Sequence, residues 1–121
     1  MAEAVQLVRT LTQQDFDRFA AISGDDNPIH VDPDFAKETR FGTTVAHGMF
    51  LYSVLEGLAA TAAGEAAIVA TSLMFPAPAR LGDEIAFAVE DATPGRLDLT
   101  ARRTRDGEIV CMLTLRLGRR S

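Results

Sequence analysis

The segment Ser23-Gly24-Asp25-Asp26-Asn27-Pro28-Ile29-His30 places a carboxylate and an imidazole five residues apart, in a stretch that turns through Asn-Pro. Seventeen residues beyond His30, His47-Gly48-Met49 opens a long apolar run, so a glycine N–H is expected at the mouth of a helix. An acid/base pair with an oxyanion-type donor is the equipment for adding water to a polarised carbonyl compound, or removing it. Pro28 fixes its own φ and pushes Asn27 toward extended backbone, giving a turn stiff enough for Asp25 and His30 to converge. Without further context the same two residues read equally as an Asx-turn aspartate and a helix-flanking histidine, both plain surface groups. Asp25 and Asp26 are adjacent and are not expected to share a site, so Asp26 is assigned to solvent. Asn27 fits a bond to its own backbone, and His47 is assigned to backbone bonding rather than catalysis.

Gly48 has a definite physical use. The first N–H groups of a helix lack intrahelical partners and the positive end of the dipole points outward, and a glycine there lets a ligand carbonyl come close to the backbone. The simpler reading is that Gly48 only permits tight entry into the helix. A metal centre is not expected: His30, His47, Asp25 and Asp32 show no recognised ligand spacing. The chain also lacks a phosphate-binding glycine loop, a dinucleotide fingerprint and a G-x-S-x-G elbow.

These residues need elements to hold them. Val5–Thr10 reads as a short strand, and Thr12 caps a helix from Gln13 whose apolar positions are Phe16, Phe19, Ala20 and Ile22, with Gly24 as its C-cap. Asp32-Pro33 reads as an N-cap and N1 pair opening one or two turns through Thr39, and 40–46 as loop. Gly48 to about Ala63 is helical and apolar on nearly all sides, so it is expected to be buried and wrapped. The wrapping is supplied by 68–75, 84–90, 97–105 and 108–117, four strand-like runs separated by short turns, with Asp106-Gly107 the strongest hairpin signal. The result is an α+β fold, an antiparallel sheet around a long central helix.

With 121 residues the chain is expected to form one domain over 1–121, large enough for a real core. It is 47% hydrophobic and 24% charged, and Glu56, Gly57, Gly64 and Glu65 interrupt its apolar stretches well short of the ~20 residues of a membrane span. Met1–Ala4 lacks the basic start of a signal peptide, so a cytoplasmic location without membrane association is expected. The net charge of −5 argues against a nucleic-acid partner. Two arginine clusters, Arg102/Arg103/Arg105 and Arg116/Arg119/Arg120, are either solvated or attract an anionic ligand's phosphates against the protein's own field. Cys111 lies in an apolar run and is expected to be a buried small hydrophobe.

The gapless Asp25-x-Asn27-Pro28-x-His30 motif within 19–32, together with Val45-Ala46-His47-Gly48-Met49, resembles the MaoC-like, (R)-specific enoyl-CoA hydratase/dehydratase family. Phe75-Pro76-Ala77-Pro78 and Leu81-Gly82-Asp83 extend the similarity, which covers roughly 12–117. The resemblance implies a hot-dog fold and a homodimer, or a higher homo-oligomer, whose sheets join edge to edge with active sites at the subunit interface. It also implies reversible syn hydration of trans-2-enoyl-CoA to (R)-3-hydroxyacyl-CoA. By position Asp25 and His30 would be the catalytic pair and the Gly48 N–H would hold the thioester oxygen, with Asn27, Ser53 and Glu56 as candidates for support around them. No cofactor is implied, since coenzyme A is part of the substrate.

One departure stands out. Family members often carry a serine on the central helix where this chain has Glu56; Ser53 lies three residues earlier, on the same face. A carboxylate in an apolar helix is costly unless paired or solvated. Glu56 is therefore either a structural glutamate bonded to a loop or an arginine, or a functional one. The second option opens a rival reading, an acyl-CoA thioesterase. Two more readings compete: a dehydratase acting on carrier-protein-bound groups, and a non-catalytic thioester-binding module. The intact pair disfavours the module.

Overall fold

The computed structural model describes residues 5–64 and 66–118. Its elements run β1 (Gln6–Thr10), α1 (Gln13–Ser23), α2 (Pro28–Val31), α3 (Pro33–Lys37), α4 (Gly48–Ala63), β2 (Ala67–Met74), β3 (Glu84–Thr93), β4 (Arg96–Arg103) and β5 (Ile109–Gly118). The five strands form one antiparallel sheet in the order β1-β3-β4-β5-β2. Consecutive hairpin pairing holds only for β3-β4-β5. β2 crosses to the far edge and pairs with β5, because the turn it would need to meet β3 is replaced by the proline-containing segment 75–83.

The alternation of each strand decides what faces α4. Ile85 and Phe87 of β3, Leu97, Leu99 and Ala101 of β4, and Leu113 and Leu115 of β5 are buried in one cluster with Leu51, Leu55 and Ala59 of the helix. A register shift between Ala101 and Arg102 opposite β5 leaves both Val110 and Cys111 fully buried, as a bulge does when it adds a residue to one strand. Burial pushes the Cys111 thiol up to about 12, so it packs as a hydrophobe, as its apolar neighbours suggested.

Two expectations need correction. Ile22 is 85% exposed rather than part of the inner face of α1, because it lies six residues from Phe16 and so falls off the stripe that Phe16 and Ala20 define. The central helix is not covered on all sides. Its buried residues are Phe50, Leu51, Leu55 and Ala59, whereas Met49, Ser53, Glu56, Gly57 and Ala60 are exposed. One concave sheet covers only one side of a cylinder, so the opposite stripe stays open in a single chain.

Candidate active site

The loop carrying Asp25 and His30 is built by a series of local caps. Thr12 and Asp15 form a capping box that starts α1, and Gly24, at φ 80°, ends it in the left-handed conformation and turns the chain into Asp25. Asp25 N–H donates to Ser23 Oγ (3.1 Å), Asn27 N–H to Asp25 Oδ1 (3.4 Å), and Ile29 N–H to Asn27 Oδ1 (3.2 Å). With Pro28 at N1, Asn27 thereby caps the short helix α2, which carries His30. The stretch expected as a plain turn is thus a helix start, and Asn27-Pro28 is the same cap-and-proline signal as Asp32-Pro33, which caps α3.

His30 is then fixed from two sides. Its Nδ1 lies 2.8 Å from the Val45 carbonyl, and Val45 N–H donates to the Ile29 carbonyl at 3.1 Å. A carbonyl only accepts, so Nδ1 carries the hydrogen, and in the neutral ring Nε2 is left as an acceptor. That Nε2 faces Asp25 Oδ2 at 3.9 Å, too long for a direct hydrogen bond and about the span one bridging molecule of water closes. Gln13 braces this corner, a role the sequence does not signal. Its amide donates to the His30 carbonyl (2.8 Å) and accepts from Thr44 Oγ1 (2.6 Å). Nothing in the sequence distinguishes it from any other first-turn residue.

His47 ties the two halves together. It is 2% exposed; its Nε2 donates to the Asp25 carbonyl (2.9 Å) and its ring stacks on His30 with centroids 3.9 Å apart and planes at 21°. Phe19 closes the other side at 4.8 Å. Desolvation is the main force holding the His47 pKa below the ordinary histidine value. The Asp25 carbonyl opposes it, the nearby His30 ring adds to it, and the Asp25 carboxylate opposes it again. The Nδ1 of His47 is buried with no hydrogen-bond partner among the described residues, so a proton there would have no acceptor. The backbone role expected of His47 agrees with this geometry.

Asp25, His30, His47 and Gly48 open onto one cavity of about 540 Å³, whose apolar wall includes Phe75 and Val110. Gly48 is the first residue of α4, after His47 as N-cap. A Cβ on Gly48 would lie 2.9 Å from the Phe75 ring, so only glycine lets the ring and the helix terminus approach this closely. Asp25, His30 and His47 also bring one potential ligand atom each within 4.8 Å of one another. Two of the four imidazole nitrogens are already committed to carbonyls, however. That leaves one nitrogen on each ring, His30 Nε2 and His47 Nδ1, beside the Asp25 carboxylate.

Other candidates lie elsewhere. Asp26 is exposed, as expected. Ser53 donates to the Phe50 carbonyl (2.6 Å) and lines, with Glu56, Gly57 and Ala60, a separate shallow depression on the open side of α4. Within one chain neither Ser53 nor Glu56 is brought to the pair. Glu56 is solvated and accepts a hydrogen bond from Tyr52, one turn earlier, which raises the tyrosine's pKa. The first arginine cluster is internally engaged. Arg103 is buried, bonded to the Pro78 carbonyl (2.9 Å) and to Asp106 (3.1 Å), Arg102 pairs with Glu90 (3.3 Å) and Arg105 with Asp83 (3.6 Å). Arg116 is exposed on β5; Arg119 and Arg120 lie outside the described residues.

A model of the MaoC-like domain matches residues 3–108. The chain belongs to this family. An (R)-specific enoyl-CoA hydratase of Rhodospirillum rubrum is 38% identical over 89 residues, 72% of this chain and 62% of that protein, so the chain spans less than two thirds of that relative's length. A 3-hydroxyacyl-thioester dehydratase Z of Mycobacterium tuberculosis is 34% identical over 110 residues, 82% of this chain and 73% of that one. The solved (R)-hydratase of Aeromonas caviae superposes with a TM-score of 0.76 at 29% identity, covering 93% of this chain and 91% of the other. The sheet around α4 is accordingly the MaoC hot-dog fold expected from the sequence.

Proposed function

We propose that this MaoC-like chain is a hydro-lyase, an (R)-specific enoyl-CoA hydratase that reversibly adds water to trans-2-enoyl-CoA. The observation that carries the reading is the orientation of His30: its Nδ1 is spent on the Val45 carbonyl, so its Nε2 looks across 3.9 Å to the Asp25 carboxylate on the wall of the Gly48 cavity. Water held between the two donates one hydrogen to His30 Nε2 and the other to Asp25. As its oxygen bonds to C3, the proton passes to Nε2, the C2=C3 electron pair moves toward the carbonyl, and the Gly48 N–H takes the developing enolate oxygen. Nε2 then returns the proton to C2 from the same face, which gives syn addition and restores the neutral ring. Asp25 steadies the imidazolium while it exists. Dehydration is the same path reversed.

The test is hydration of crotonyl-CoA, followed by loss of enoyl absorbance, with assay of free thiol and of product configuration. The expected result is (R)-3-hydroxybutyryl-CoA without thiol release. Release of coenzyme A without hydration would replace this reading by the thioesterase one. A matching assay with a carrier-protein thioester decides between the two carriers.

A homodimer is proposed as the working form because β2, at the sheet edge, exposes Val69 (65%) and Met74 (58%) beside Ile68. An apolar open edge invites pairing with another strand. Sedimentation should give twice the chain mass, and Val69→Lys should shift it toward monomer.

A further inference from the structure

The sequence offered two arginine clusters as phosphate anchors, but the ion pairs described above occupy the first with the protein's own carboxylates. The cavity wall supplies a different cation. Arg40 lines the same cavity as Asp25, His30 and Gly48, and is the one arginine or lysine among the described residues to do so. It is exposed, with no carboxylate in ion-pair range among the described residues. Its position is nevertheless built. The guanidinium carbon lies 4.8 Å from the ring centre of Phe41, itself part of the cavity wall. The turn beneath is pinned by Thr39, whose Oγ1 donates to the Ala36 carbonyl (2.7 Å) and accepts from Phe41 N–H (3.3 Å), and whose carbonyl takes Gly42 N–H (3.0 Å). Gly42 follows at φ 72°, a conformation that keeps glycine there and folds the loop back.

We infer that Arg40 is the anchor for the phosphate at the end of the thioester's pantetheine arm, the anionic group common to coenzyme A and to carrier-bound substrates. This rests on the hydratase reading and extends it. A protein of net charge −5 repels such a substrate at long range, so a held, unspent guanidinium at the rim of the site answers a specific electrostatic need. The contact with the Phe41 ring holds the guanidinium at the cavity wall, where its fork can make two-point contact with phosphate oxygens.

The experiment compares crotonyl-4′-phosphopantetheine with crotonyl-pantetheine, which differ only in that phosphate, on wild type, Arg40→Gln and Arg18→Gln. The last makes the same charge change on α1, outside the cavity wall. Wild type should show a KM about 10-fold lower with the phosphate present, the scale of one charge-assisted contact. Arg40→Gln should reduce that advantage to under about 2-fold, and Arg18→Gln should retain it. An advantage unchanged in Arg40→Gln overturns the assignment. So does an equal rise in KM for both substrates, or loss of the advantage in Arg18→Gln as well. Equilibrium binding of 4′-phosphopantetheine against pantetheine gives the same comparison without turnover, so a failure of the hydratase reading is told apart from a failure of Arg40.

Discussion

The turn at 24–30 and the middle of α4 hold similar inventories: Asp25 with His30 in one, Glu56 with Ser53 in the other. In the turn the atoms around the pair are committed step by step, through Ser23, Asn27, Val45, Gln13 and His47, and the free His30 nitrogen is left facing the Asp25 carboxylate. On the helix the hydroxyl is spent on the preceding turn and the carboxylate stands in solvent beside Tyr52. Reactive residue types are common; what separates a site from a surface is how many of their bonds are already fixed.

That contrast predicts an order of effects. His30→Ala should lower turnover most, by at least ~10²-fold, with Asp25→Asn close behind, both with the fold retained by circular dichroism. Near-wild-type kcat in either would remove the turn as the active site. His47→Phe keeps an aromatic ring against His30 and Phe19 but loses the donor to the Asp25 carbonyl. It should cost about 10-fold in kcat, the order of one hydrogen bond, with little change in KM. Glu56→Gln should change kcat by less than about 2-fold, as for an exposed side chain away from the chemistry. A loss matching His30→Ala would instead move the chemistry to the helix.

A further, smaller effect concerns pH and stability. Because folding holds the His47 pKa below its unfolded value near 6.5, the unfolded chain binds more protons just beneath that pH. The stabilisation is therefore complete above about pH 6.5 and is lost as pH falls toward the depressed value. Melting temperature followed from pH 7 to pH 5 should decline less steeply in His47→Phe than in wild type. Parallel slopes would mean that His47 titrates normally.

The fold was legible where pattern is local. α4 begins and ends where the apolar run and Gly64 place it, and the Asp106-Gly107 hairpin joins β4 to β5. The placement of β2 at the sheet's far edge was not legible, because pairing partners are chosen by the whole sheet. The bare side of α4 was hidden for a related reason: apolar composition says that a helix seeks cover, not how much one sheet supplies. At the site, the motif named Asp25, His30 and Gly48 as candidates, and the structure brings them to one cavity. Gln13 and Arg40 carried no such signal. A side chain that braces a distant backbone carbonyl, or stands unspent at a rim, looks in sequence like any other polar residue.

His47 and Gly48 are joined by a single peptide bond, and this has a metric consequence. The residue that clamps the Asp25 backbone and stacks on His30 is directly followed by the residue whose N–H would receive the carbonyl oxygen. The proton acceptor on His30 is thus held by the ring's bond to Val45 and its stack on His47, within the same short segment that leads directly into the oxyanion donor. On the proposed mechanism, segment 45–48 is a gauge that references the His30 nitrogen to the Gly48 N–H. On the same mechanism, a double bond moved one position along the acyl chain would not be presented to His30, however well the tail fitted the cavity.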